Sequence, residues 1–457
     1  MMATSRLRAW LGRPIDPASL AVFRIAFGTL MLIAVVRFFV HDWIAEYYLT
    51  PTHFFTYRGF GWVKPWPGHG MYVHFAVMGA CAALIIVGLW YRVATALFTV
   101  LFAYAHLIDK TNYLNHYYLL ICLGALMTVL PLHACASIDA WRSERVRRLV
   151  VPAWALYAIR LQLGLVYFFG GIAKLKYDWL VDAQPMQIWL SANTDFPVVG
   201  RYFSEPAVAY VFSWAGLVFD LGIVPCLLWR RTRAVAYAAV VVFHVTTAQL
   251  FHIGMFPWIM MASSLIFLPP SWPRRLLRLR AWPPGQTATW RPRLVPAVLA
   301  TYFAIQLVLP LRHFAYPGNV CWTEEGFRFA WHVMVMEKDG SLELHVREPS
   351  TGRHWEVAPT DYLTRYQARM MATQPDMILE LAHIVADDFR TRGIVDPEVR
   401  VDAFASLDGR RRMRLVDPTV DLARETDSLM PASWILPLSD AAPASLVTVN
   451  SQHGARP

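Results

Sequence analysis

Lysine and histidine are the side chains here whose placement would make them acids or bases. The segment VYFFGGIAKLKYDW puts Lys174 and Lys176 at the end of a long apolar run. On a helix, Tyr167, Gly170, Gly171 and Lys174 share one face through their three- and four-residue spacing. Two glycines below a lysine leave room for a flat apolar ligand. Burial disfavours the charged form of an amine, and an uncharged lysine is a general base. The same pattern also fits close helix packing at Gly170-Gly171, with Lys174 snorkelling to an interface.

The histidines gather at comparable positions. His116 opens one apolar run just after Asn115, His244 sits in FHVTTAQLF with His252 close behind, and His313 ends another run in LPLRHF. Ionisable residues at membrane depth are costly, so each is a functional candidate; a lone histidine in a span also serves as a hydrogen-bond partner to the next helix. No metal site is expected, because HExxH, H-x-x-x-H and CxxC spacings are all missing. Nor is a disulfide: Cys81, Cys122 and Cys226 lie in apolar runs, Cys135 lies at a run's edge, and Cys321 stands alone beyond them.

The elements that must position these residues are long and apolar. Of 457 residues, 56% are hydrophobic and 16% charged, more apolar content than a soluble chain of this length needs. The runs predict about nine transmembrane helices, at 18–40, 71–90, 93–108, 116–131, 153–173, 207–229, 234–251, 254–269 and 294–313. The first run is too long for a signal-peptide core and reads as a retained span. Arg6, Arg8 and Arg13, then Arg142 to Arg148, Arg230 to Arg233 and Arg274 to Arg293 fall on one side. The other side holds few basic residues, so the N-terminus is placed in the cytoplasm and the C-terminus outside. That distribution, with no recognisable nucleic-acid module, accounts for the net charge of +10 without a nucleic-acid partner.

Residues 316–457 have a different texture. Apolar and polar residues alternate in WHVMVMEKDGSLELHVRE, with a hairpin turn expected at Asp339-Gly340. GRHWEVAP and VRVDAFASLDGRRRMRLV read as further strands, and two helices are expected with start signals at Thr360 and at Gln374-Pro375. Trp322 and Trp331 read as interfacial anchors. The expected architecture is therefore a mainly α membrane domain, 1–315, followed by an extracytoplasmic α+β, β-sandwich-like domain, 316–457.

Six blocks in order, LIDKTNYLNHYYL, VYFFGGIAKLKYDW, FHVTTAQLFHIGMFPWIMMASSLIF, SWPRRL, LPLRHFAYPGNVCWTEEGFRFAWHVMV and VDPTVDL…SWILPL, resemble the vitamin K-dependent gamma-glutamyl carboxylases. They also resemble the wider horizontally transferred transmembrane (HTTM) family, over residues 17–438. The resemblance implies a chemistry. An enzyme base deprotonates vitamin K hydroquinone, and O2 turns it into a strongly basic alkoxide. That species takes the γ-proton of a glutamate in a Glu-containing peptide, and CO2 traps the carbanion. Gamma-carboxyglutamate and vitamin K epoxide result, with membrane lipid holding the isoprenoid tail.

By resemblance Lys174 is the base and His116 a catalytic histidine near the quinol, preceded by Asn115. His244 and His313 match further family histidines, and Trp331 a tryptophan of the junction with the outer domain. With Gly170, Gly171 and Tyr167 they make up the expected cofactor pocket. Animal members carry a lysine pair where this chain has Ala173-Lys174, and a tyrosine at Phe327. The chain is also shorter than they are, which implies a different recognition of the peptide. Two other functions fit the same residues: a membrane quinone- or lipid-modifying enzyme that epoxidises without carboxylating, and a non-enzymatic transporter or interaction protein. The chain shows no internal repeat of the kind that marks many transporters.

Overall fold

Twenty-three residues, Ala18–Val40, are apolar on every face and form the first long helix, α1. In this computed structural model, which describes residues 6, 9–251, 253–278 and 294–439, the same logic repeats along the chain. The sequence candidates His252, Arg8, Arg280, Arg291 and Arg293 lie outside the described residues. Among the described residues six helices are long and apolar enough to cross a membrane: α1, α2 (Gly70–Val87), α5 (Ala153–Ile172), α6 (Pro206–Leu228), α7 (Arg233–Phe251) and the stretch Val295–Ala315, which opens with helix α9 (Val295–Val308). Three shorter apolar helices accompany them: α3 (Tyr91–Leu107), α4 (Asn115–Val129) and α8, which runs on through a 3-10 turn to span Phe256–Phe267. The chain divides into two compact units, one of Met1–Ile172 with Gly216–Leu311, the other of Ala173–Ala215 with Arg312–Pro457.

In the first unit α1 packs on α2, α2 on α3 and α3 on α4. Gly124 of α4 sets one of these approaches, since a Cβ there would lie 2.2 Å from Thr99 Oγ1; small residues let apolar helices come this close. Two arginines are buried in this unit. Arg24 donates to the carbonyls of Ile85 and Ile86, at 2.7 Å each, and of Ala136. Arg160 donates to Ile266, Phe267 and Leu268 at 2.9, 3.2 and 3.0 Å. The carbonyls of Ile85, Ile86, Ile266 and Phe267 lie at helix C-termini, which attract cations.

The second unit carries one four-stranded antiparallel sheet, ordered β2 (His354–Val357), β1 (Lys338–Arg347), β3 (Glu398–Leu407), β4 (Met413–Arg414). In β3 every second residue, Val399, Val401, Ala403, Ala405 and Leu407, is buried, the two-residue period of a half-buried strand. Helix α11 (Pro375–Thr391) packs on β3. Its buried residues Ile378, Leu381, Ala382, Val385 and Phe389 recur at helical spacing. A helix covers the face that a β-sandwich would give to a second sheet, so this unit is α+β with a single sheet among its described residues.

Three local expectations are corrected. Asp339-Gly340 makes no hairpin turn: β1 runs straight through it, pairing Asp339 with Ser406 and Gly340 with Ala405. The glycine answers a tertiary demand instead, because a Cβ on it would lie 2.6 Å from the Ala372 carbonyl oxygen. The helix α10 (Arg365–Met371) is capped by Thr364, not Thr360, in a capping box with Gln367. Trp322 and Trp331 are fully buried, so they are core residues and not interfacial anchors.

Candidate functional site

The predicted site residues fall into two groups, one in each unit. In the first unit α5 carries Tyr167, whose hydroxyl lies 3.0 Å from His244 Nε2 on α7 and 3.5 Å from Ser264 Oγ. His244 is 2% exposed. With Nε2 engaged by Tyr167, Nδ1 is the remaining ring nitrogen, buried and without a hydrogen-bond partner among the described residues. Phe256 links the histidines: its ring centroid lies 6.0 Å from that of His244 and 5.9 Å from that of His116. Asn115, which opens α4, accepts from the Tyr113 hydroxyl at 3.1 Å. Gly170 and Gly171 are both buried. Gly171 faces no slot: a Cβ there would lie 2.5 Å from Leu221 Cδ2, so α6 fills that space and close helix packing accounts for this glycine.

Lys174 does not continue the helical face of Tyr167. Helix α5 ends at Ile172, and Lys174 falls in the turn beyond it. Two successive glycines weaken the last helical turn, and the second unit holds the lysine by other means. The side chain is buried. Its Nζ donates to the Val333 carbonyl at 3.4 Å and lies 5.3 Å from the centroid of the Trp179 ring, within cation–π range. Trp179 is itself fixed, donating from Nε1 to the Ser213 carbonyl at 2.8 Å and accepting on its own carbonyl from Ser213 Oγ at 2.6 Å.

Lys176, two residues on, has a different role. It pairs with the fully buried Asp408 at 2.8 Å and lies 3.8 Å from Cys321 Sγ. Burial works against its charge, but Cys321 and Asp408 outweigh it and hold the amine above the ordinary lysine range. Beside it, Asp178 takes two bonds from Arg410 at 2.5 and 3.2 Å. Burial pushes the Cys321 thiol up to about 11, and all five cysteines are free.

His313 lies in the same unit, its ring centroid 4.9 Å from that of His332 at a steep angle. His332 stacks in turn on Phe327, at 4.9 Å and 14° between planes. Burial, then the positive charges of His313, Lys176, Arg312 and Lys174, push His332 down to about 3. Trp331, fully buried, precedes it. Sequence reasoning missed three buried basic residues. Arg24 and Arg160 were visible as arginines inside apolar runs, and His332 as a histidine inside the apolar stretch AWHVMV.

Apolar helices long enough to span a bilayer, followed by an α+β unit built on an antiparallel sheet, define a class: a multi-span membrane protein with a lumenal-type C-terminal domain. Comparison with known families agrees. Residues 12–272 match the HTTM domain, and residues 291–441 match the vitamin K-dependent gamma-carboxylase, lumenal domain. The chain belongs to the vitamin K-dependent gamma-carboxylase family. No solved structure matches it.

Proposed function

We propose that the protein is a gamma-glutamyl carboxylase-like membrane enzyme. It couples oxygenation of vitamin K hydroquinone by O2 to carboxylation, with CO2, of a glutamate in a peptide reaching it from outside the cell membrane. The observation that carries this reading is the setting of Lys174. It is the buried lysine of the family-like segment GGIAKLK, and its amine meets a backbone carbonyl and a tryptophan face, whereas Lys176 is committed to Asp408.

The first unit offers groups suited to an aromatic diol. His244 presents a buried ring nitrogen without a hydrogen-bond partner among the described residues, and the rings of Phe256 and Phe219 meet it in T-shaped contacts at 6.0 and 6.1 Å. In this reading His244, Tyr167, His116 and Asn115 hold and orient the quinol ring. Bound vitamin K hydroquinone supplies, through its oxygenation, a base stronger than any side chain. By the family resemblance Lys174 would accept the hydroxyl proton, His116 would assist proton transfer, and His313 and Trp331 would orient the reacting groups. Apolar surroundings keep out water that would quench a carbanion.

The proposed topology has nine spans within 1–315, the N-terminus in the cytoplasm and 316–457 outside. It follows from the arginine distribution and is tested by labelling a cysteine placed at Arg145, which should react only from the cytoplasmic side. A second reading, epoxidation without carboxylation, draws on Phe327, which has no hydroxyl where animal members carry a tyrosine. Purified protein given vitamin K hydroquinone, oxygen, labelled bicarbonate and a Glu-containing peptide separates the two. Epoxide with incorporated label supports the carboxylase, epoxide alone supports the second reading, and neither product removes both.

A further inference from the structure

Residues 324–334 carry a concentration of left-handed backbone. Glu324, Gly326, Phe329, Trp331 and Met334 have φ of 57°, 78°, 63°, 62° and 48°. For bulky side chains this conformation is uncommon and sterically costly. Strain of this kind persists where surrounding structure over-determines it, and it clusters at functional sites.

The same stretch touches both chemistry-bearing side chains of its unit. Val333 offers its carbonyl to Lys174. Gly326 presses on His313 so closely that a Cβ would lie 2.7 Å from the histidine Cα. Arg312 donates to the Arg328 carbonyl. His332 stands between these contacts, its ring against His313 on one side and stacked on Phe327 on the other, one residue before the carbonyl that receives Lys174.

We infer that His332 is a positioning residue, which with the strained backbone of 324–334 holds Lys174 and His313 in their working places. The inference rests on the proposed role of Lys174. The groups acting electrostatically on His332 are His313 and Arg312 from the segment after α9, and Lys174 and Lys176 from the segment after α5. All are basic, and together with burial they keep the imidazole neutral at working pH. The flat ring, and not a hydrogen bond, makes these contacts, so the neutral imidazole serves as a fixed strut without adding a charge of its own.

The test uses full-length protein in lipid vesicles. His332→Phe keeps a ring between Phe327 and His313, whereas His332→Gln removes it. Two quantities are followed across pH: epoxide formation from vitamin K hydroquinone, and, independently of turnover, the rate at which acetic anhydride acetylates Lys174, read by mass spectrometry. For His332→Gln, kcat should fall about tenfold or more with KM little changed, and Lys174 should be labelled about threefold faster. His332→Phe should stay within about threefold of the native protein in both. Native kcat and native labelling in His332→Gln overturn the inference, as does equal damage in the two variants. If His332→Gln does not fold, Phe327→Leu removes the stacked face and carries the same expectation. A native chain that forms no epoxide sinks the functional reading, while the labelling arm still decides the role of His332.

Discussion

In the first unit Arg24 and Arg160 give their guanidinium N–H groups to backbone carbonyls. In the second, Lys176, Lys338 and Arg410 face the buried carboxylates of Asp408, Glu324 and Asp178. The difference follows from what each interior already contains. An apolar bundle holds helix C-termini whose carbonyls attract cations, so one arginine meets three acceptors and only one ion is desolvated. A pair of opposite charges requires two ions to leave water. The second unit uses such pairs to tie distant segments together: Lys176 and Asp178, just beyond α5, are held by Asp408 and Arg410 after β3. The proposed base follows the first pattern while lying in the second unit, since Lys174 meets a carbonyl.

The largest test of that contrast is Lys174→Ala. It should abolish both epoxide formation and carboxylation, measured by product chromatography and label incorporation, while the protein still inserts and folds. Lys174→Arg should fail too, because a guanidinium stays protonated and cannot accept the proton. Near-normal epoxide from Lys174→Ala at neutral pH would show that this lysine is not the base. Asp408→Ala attacks the other kind of lysine. It leaves Lys176 largely buried without its carboxylate and should destabilise the second unit by about 3–5 kcal/mol. A change below about 1 kcal/mol in denaturant unfolding would mean that the pair is solvated. Lys176→Ala should likewise be damaging, because it leaves Asp408 buried without its cation.

Arg24→Met sharpens the first half of the comparison. Methionine fills similar space but leaves the carbonyls of Ile86 and Ala136 without their donor, Ile85 keeping the Gly88 N–H, which should cost about 2–3 kcal/mol. Thermal unfolding in detergent measures it. An unchanged midpoint would mean that these carbonyls find other partners.

Legibility in the sequence followed the range of the forces. The apolar helices were readable because composition alone makes Ala18–Val40 and Gly70–Val87 apolar all round. Strand β3 and helix α11 were readable from their two-residue and helical periods, and Gln374-Pro375 marked the helix start. Asp339-Gly340 misled because its glycine answers to the Ala372 carbonyl, far away in sequence. Thr364-Arg365-Tyr366-Gln367 was a readable capping signal that Thr360 obscured. Lys174 was found as a residue but misplaced on a helix face, since spacing cannot show that α5 stops at Ile172. His332 was hidden because nothing local marks a histidine that acts through its stacking neighbours.

A smaller effect belongs to pH. The folded His332 is pushed down to about 3, below the unfolded value of about 6.5. As pH falls through 6.5 the unfolded chain takes up a proton that the folded chain refuses. The stabilisation is therefore complete above about pH 6.5 and is lost as pH drops toward 3, at up to about 1.4 kcal/mol per pH unit. Denaturation midpoints of the native protein at pH 7 and pH 5 should differ accordingly, and His332→Phe should remove that part of the slope. An identical slope in the variant would assign the acid sensitivity to other groups.

The smallest expected effect is Tyr167→Phe. It deletes the hydroxyl that lies 3.0 Å from His244 Nε2 and leaves the ring where it packs. A single hydrogen bond is worth about 1 kcal/mol net, so the unfolding midpoint should move only slightly. The consequence for binding is more specific. Without the hydroxyl, His244 loses the contact that fixes which ring nitrogen carries the proton, and its imidazole can present either a donor or an acceptor. If His244 holds the quinol, KM for vitamin K hydroquinone should rise several-fold, about what one lost hydrogen bond gives, while kcat changes less. Lys174→Ala acts on the chemical step and shows the opposite split. A Tyr167→Phe enzyme with reduced kcat and native KM would move Tyr167 and His244 from binding to proton transfer.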